Sequence, residues 1–204
     1  MRKLAAIAMA LALGTASSVA LADDGNFFVN ANAGASQYDT KNPFSGVPGN
    51  SFSKTGKAGA LRAGYRWNSV VDYGVEVGYG FLGNEVARLG SDTGYARLQD
   101  QTRGWLLGGN LNYNIDEHWY VDARAGWIRA RSLYEVRMLT DVAHLSSRDA
   151  VTNTGEYFGF GGGYNVNKNL SLGLAYDTYR VPVNEYNERN TRVGMYSLQA
   201  EYRF

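Results

Sequence analysis

Few residues in this chain are equipped for covalent chemistry. There is no cysteine, and there are only two histidines. His144-Leu145-Ser146 sets an imidazole two positions from a hydroxyl, and Glu156 follows. A nucleophile, a base and an acid to orient the base are the parts of a covalent hydrolase. His118 sits beside Trp119 in a short polar break and reads as an interfacial residue. Gly159-Phe160-Gly161-Gly162-Gly163 is glycine-rich, but no helix or phosphate-reaching lysine follows it at P-loop spacing. Small residues inside a strand explain it better. No metal-ligand spacing is present, so neither a cofactor nor a metal is expected.

The larger constellation is ionic. Arg62, Arg66, Glu76, Asp122, Arg124, Asp177, Glu201 and Arg203 each alternate with apolar or aromatic neighbours. Four are basic and four acidic. Brought together away from water, they would form a balanced ion-pair network. With a short turn after Trp67, Glu76 falls opposite Gly64 and diagonal to both Arg62 and Arg66, within reach of long side chains.

Period-two alternation supplies the elements that would hold these charges. Eight strands are expected: about Phe27–Tyr38, Lys57–Trp67, Tyr73–Phe81, Arg103–Tyr113, Trp119–Arg129, Glu156–Val166, Leu170–Tyr179 and Gly194–Phe204. In the last, Gly194, Tyr196, Leu198, Ala200, Tyr202 and Phe204 share one side, against Ser197, Gln199, Glu201 and Arg203 on the other. One face suited to oil and one to water, repeated in ten-residue pieces, describes a transmembrane β-barrel. The negative mean hydropathy agrees, because half of each strand faces a polar lumen. An open edge in hydrocarbon would strand backbone amides at several kcal/mol each, so the first strand must pair with the last.

The links alternate between short (Asn68–Asp72, Asp116–His118, Asn167–Asn169) and long (about 39–56, 82–102, 130–155 and 180–192). That asymmetry places both termini on the periplasmic, short-turn side. Outward aromatics gather at both strand ends: Phe27, Trp67, Tyr73, Tyr113, Trp119, Tyr164, Tyr202 and Phe204 at one, Trp105, Trp127 and Tyr176 at the other. Two aromatic girdles around an aliphatic band are what a bilayer selects.

Residues 1–22 read as a cleaved secretory signal peptide, with Arg2-Lys3, an apolar run from Leu4 to Leu13 and Ala20-Leu21-Ala22. The run is too short to cross about 30 Å of hydrocarbon as a helix. Residues 23–204 form the barrel domain. Cleavage takes the formal charge from +1 to −1. So nearly neutral a chain gives no electrostatic basis for binding nucleic acid.

The chain resembles the small OmpA-like outer-membrane β-barrel superfamily, in size the OmpX type. The resemblance rests on Phe28-Val29-Asn30-Ala31-Asn32-Ala33-Gly34, Gly159-Phe160-Gly161-Gly162-Gly163-Tyr164, Asn169 to Tyr176 and the closing Glu201-Tyr202-Arg203-Phe204. It implies an eight-stranded antiparallel up-and-down barrel in the outer membrane, surrounded by lipid and lipopolysaccharide. It also implies a C-terminal strand read by the assembly machinery, and charged pairs inside. The sequence ends with the barrel, so no peptidoglycan-binding domain is expected. His144-Leu145-Ser146 is similar to the His-x-Ser spacing of lipid A deacylases, although the surrounding residues are not.

A structural or surface-interaction role through the long loops is therefore expected, in a monomer with an unknown extracellular ligand. Arg129, Arg131, Arg137 and Arg148 mix with Glu135, Asp141 and Asp149 around the third long link. They read first as a solvated hairpin, and alternatively as contacts to lipopolysaccharide phosphates. A narrow channel gated by the lumen pairs is the second functional reading and a lipid A-modifying enzyme the third. The expected class is non-enzymatic.

Overall fold

The computed structural model describes residues 25–39, 50–91, 94–140, 143–182 and 190–204. The expected leader lies outside them. The strands are β1 (Gly25–Tyr38), β2 (Asn50–Ser53), β3 (Thr55–Trp67), β4 (Asp72–Ser91), β5 (Gly94–Asn114), β6 (Trp119–Thr140), β7 (Ala143–Asn165), β8 (Leu170–Pro182) and β9 (Asn190–Arg203). β1 and β3 to β9 are eight staves, each antiparallel to its neighbours, and β1 pairs with β9 to close the cylinder. β2 continues the β3 stave along β4, past Lys54.

Closure satisfies the ladder hydrogen bonds that lipid cannot. The apolar positions then turn outward: Trp105, Leu107, Leu174 and Leu198 are each more than 60% exposed. So much contiguous apolar surface requires an apolar surrounding. The expected girdle residues all lie on this outer face. Near the short turns Trp67 stacks on Tyr73 with ring centroids 5.5 Å apart, and Trp119 meets Tyr164 edge-on at 5.5 Å. At the other end Tyr79 meets Trp105 at 5.3 Å and Tyr176 meets Tyr196 at 4.7 Å.

Three short turns join β3 to β4, β5 to β6 and β7 to β8. Each uses one side-chain oxygen to hold free backbone amides: Asp72 accepts from Ser69, Asp116 from His118 and Trp119, and Asn167 from Asn169 and Leu170. The Asp116 and Asn167 turns, whose side chains accept from the amide two residues on, are Asx-type turns. They share an end of the barrel with the start of β1 and the end of β9.

The opposite end corrects the expected link boundaries. Most of 82–102 and 130–155, expected as links, is strand; within them only Leu133–Leu139 reads as strand-like in the sequence, and it lies in β6. β4 and β5 stay paired from Asn84↔Gln101 to Ser91↔Gly94, and β6 and β7 from Arg129↔Thr154 to Thr140↔Ala143. Alternation fades there because both faces of the hairpins leave the lipid, whereas ladder hydrogen bonding does not depend on side-chain polarity. A register shift between Phe81 and Asn84 breaks β4 where the hairpin begins. Gly83 takes φ 91° at this bulge, a conformation that favours glycine. The Tyr38 hydroxyl donates to the Leu82 and Gly83 carbonyls at 3.2 Å each and ties β1 to the break.

Candidate functional site

The interior is built by the inward parity of each stave. Gly64 lies opposite Glu76, flanked by Arg62↔Gly78 and Arg66↔Gly74, so glycines leave room beside each long side chain. An eight-stranded barrel has an interior that side chains can fill. Arg62, Tyr179 and Asp177 are less than 2% exposed.

Arg62 is the hub. Its guanidinium donates to Asn32 Oδ1 at 2.6 Å and Tyr179 Oη at 3.0 Å, and lies 3.5 Å from both Glu76 and Asp177. Glu76 accepts from Tyr157 Oη at 2.7 Å and Asn110 Nδ2 at 3.3 Å. Arg124 reaches Gln199 Oε1 at 2.7 Å, Asp122 Oδ2 at 3.1 Å and Asp177 Oδ1 at 3.6 Å. Asp177 is thus held between two guanidiniums by charge, with neither oxygen in a hydrogen bond to the protein. A Cβ on Gly159 would run into Asp177, so this site needs glycine.

Nearer the short turns, Arg66 forms a two-point pair with Glu201, at 2.7 and 3.1 Å. It also donates to Asn110 at 2.9 Å and stacks its charge over the Phe28 ring at 4.4 Å. Arg203 stands apart at the rim. Among the described residues its guanidinium donates to Asn165 and Ser171 rather than to a carboxylate. It is the last inward position of β9, level with the turn between β7 and β8, where the Arg203 backbone N–H donates to the Asn169 carbonyl. The connected set therefore has three guanidiniums and four carboxylates rather than four of each. Neutral donors, Tyr157, Asn110, Asn30 and Gln199, serve the surplus acidic oxygens.

Above this ionic layer lies an apolar one that a uniformly polar lumen does not anticipate. Tyr38, Leu82, Leu106, Ile128, Val181, Val193 and Met195 pack together, each under 5% exposed. The sequence does carry a signal for it. Phe81-Leu82, Leu106-Leu107 and Trp127-Ile128 are apolar doublets that break alternation, with one member facing lipid and one the axis. Tyr157 and Tyr179 were legible by parity with Gly159 and Asp177.

The hydrolase constellation does not assemble. His144, Ser146 and Glu156 all lie in β7. The twelve residue steps from His144 to Glu156 span about 40 Å of strand, far beyond hydrogen-bond reach. The side chains of His144, Arg137, Arg148, Glu135 and Asp149 lie outside the description, as does Asp141 entirely. Among the described residues no group of acidic or histidine side chains forms a metal site.

The model of the outer membrane protein β-barrel domain matches residues 6–204. The chain belongs to this outer-membrane β-barrel family. Its place is the outer membrane, as the lipid-facing surface requires. Solved barrels similar to it include Ail of Yersinia pestis in complex with the heparin analogue sucrose octasulfate. That similarity has 15% identity, covers 89% of this chain and 99% of Ail, and gives a TM-score of 0.53. The outer membrane protease OmpT from Escherichia coli is similar at 10% identity, over 89% of this chain and 94% of OmpT, with a TM-score of 0.52. At such identities the similarity is one of fold. No curated protein matches the chain.

Proposed function

We propose that this barrel is a sealed, non-enzymatic anchor that presents its long β-hairpins for contact at the cell surface. The observation that carries this reading is the filled interior. An ionic layer centred on Arg62 and an apolar layer around Leu106, Ile128 and Met195 succeed each other along the axis. Side chains this deeply buried leave the hairpins as the parts free to vary with function. In this reading the protein is exported through the leader at 1–22. Its C-terminal strand engages the assembly machinery, and it works as a monomer in lipid that includes lipopolysaccharide.

The test has two arms. Refolded protein in a planar bilayer is expected to give no discrete conductance steps; regular steps would replace this reading with the channel. Replacing the β6–β7 hairpin beyond Ser132↔Val151 by a two-residue turn is expected to leave the barrel folded and to abolish binding of whole cells to their target surface. Unchanged cell binding would remove this hairpin from the interaction.

A further inference from the structure

The outward face changes chemistry at one end only. At the short-turn end its last outward residues are uncharged: Phe27, Trp67, Tyr73, Tyr113, Trp119 and Tyr164. At the hairpin end, directly past Trp105 and Trp127 and one outward position beyond the neighbours of Tyr176 and Tyr196 (Thr178 and Gly194), stand Arg103, Arg129, Arg131, Arg180 and Arg192. Register then sets two pairs of arginines face to face. Arg103 lies opposite Arg131 across β5 and β6, and Arg180 lies opposite Arg192 across β8 and β9. Like charges directly opposite in a ladder repel. Two carboxylates border this belt, Glu156 in register with Arg180 and Asp39 beside Arg192. Among the described ion pairs none includes these arginines.

A trough of about 900 Å³ opens on the lipid side just below Arg180. Gly109 and Ala125 face each other in it, Trp127 and Phe158 border it, and Glu156 and Arg180 stand at its upper end. Its small residues leave a hollow beside the Trp127 and Phe158 rings on the lipid-facing side of the barrel.

We propose that Arg103–Arg131 and Arg180–Arg192 are two phosphate clamps for the lipid A headgroup of lipopolysaccharide, with an acyl chain of the same lipid lying in the trough. A phosphate between two guanidiniums removes their mutual repulsion and accepts paired N–H bonds from each. Placement just beyond an aromatic girdle sets the arginines at headgroup depth. Their confinement to the hairpin end matches a membrane whose outer leaflet carries the phosphorylated lipid. The clamp extends the lipid half of the proposed function and does not depend on what the hairpins bind.

The full-length barrel, purified in a zwitterionic detergent, is titrated with bis-phosphorylated lipid A, with the same lipid stripped of both phosphates, and with inorganic phosphate. Bound lipid is read by native mass spectrometry. The native protein is expected to bind the phosphorylated lipid at least about tenfold more tightly than the stripped one, and inorganic phosphate not measurably. Arg131→Gln with Arg192→Gln is expected to abolish that preference while keeping the heat-dependent gel shift of a folded barrel. Equal binding of the two lipids by the native protein would overturn the clamp without any variant being needed. So would saturation by inorganic phosphate alone, or an unchanged preference in the folded double variant. None of these outcomes bears on conductance or on cell binding, so the anchor reading stands or falls separately.

Discussion

The Tyr157 hydroxyl on β7 donates a hydrogen bond to Glu76 on β4 at 2.7 Å, across the barrel axis between strands that are not neighbours. Ladder bonds join each stave only to the next. The Tyr157–Glu76 bond and the Arg62–Asp177 pair join opposite walls, and so resist flattening of the cylinder.

Removing only the hydroxyl, Tyr157→Phe, leaves Glu76 with Arg62 and Asn110. The expected loss is about 1 kcal/mol. Glu76→Ala strips a charge facing Arg62, whose side chain is wholly buried. It is expected to cost about 3–5 kcal/mol. Urea unfolding of the barrel in lipid vesicles measures both. Equal costs would show that Arg62 does not depend on Glu76.

Arg66 and Glu201 form the two-point pair of the lower lumen. Either Arg66→Leu or Glu201→Leu alone is expected to destabilise by about 3–5 kcal/mol, and the double substitution by clearly less than the sum. Strict additivity in this cycle would mean that water, not the partner, satisfies each charge.

Gly159→Ala places a methyl against Asp177 between its two arginines. Overpacking of this kind is expected to cost about 1–3 kcal/mol or more, and Gly159→Ala with Asp177→Asn is not expected to recover it, because the obstacle is steric. Met195→Ala, in the apolar layer, is expected to cost about 2–5 kcal/mol through the cavity it leaves. Unfolding midpoints distinguish these effects from a neutral site.

The Asp116 carboxylate accepts amide protons from His118 and Trp119 at 2.7 Å each, outside the membrane. Those backbone bonds, helped slightly by His118, hold its pKa below the ordinary 3.8. The folded state therefore binds this proton more weakly than the unfolded chain. The turn's contribution is complete above the ordinary value and is lost as the pH falls through the lower folded one. Asp116→Asn keeps an acceptor and is expected to flatten this acid limb of stability. NMR titration of the Asp116 carboxyl checks the direction, and a midpoint at or above the ordinary value would contradict it.

All four tryptophans, Trp67, Trp105, Trp119 and Trp127, face outward in the girdles. Brominated lipids are expected to quench their fluorescence most when the bromine sits near the headgroup. Strongest quenching from the bilayer centre would displace the girdles.

Alternation, glycine spacing, turn residues and the aromatic ends determined the barrel and its strand count. Each of these is a local consequence of a strand having one face in lipid and one away from it, so a single chain displays them openly. The inward parity of Arg62, Glu76 and Asp177 was legible for the same reason. Only closure decided which partners meet. Arg66 reaches Glu201 rather than Glu76, and Arg203 is left at the rim with Asn165 and Ser171. Only closure brought Leu82, Leu106, Ile128 and Met195 from four strands into one apolar layer, and set arginine opposite arginine outside. Such contacts depend on register summed around a closed ring, and alternation within one strand carries no information about its neighbour across the axis.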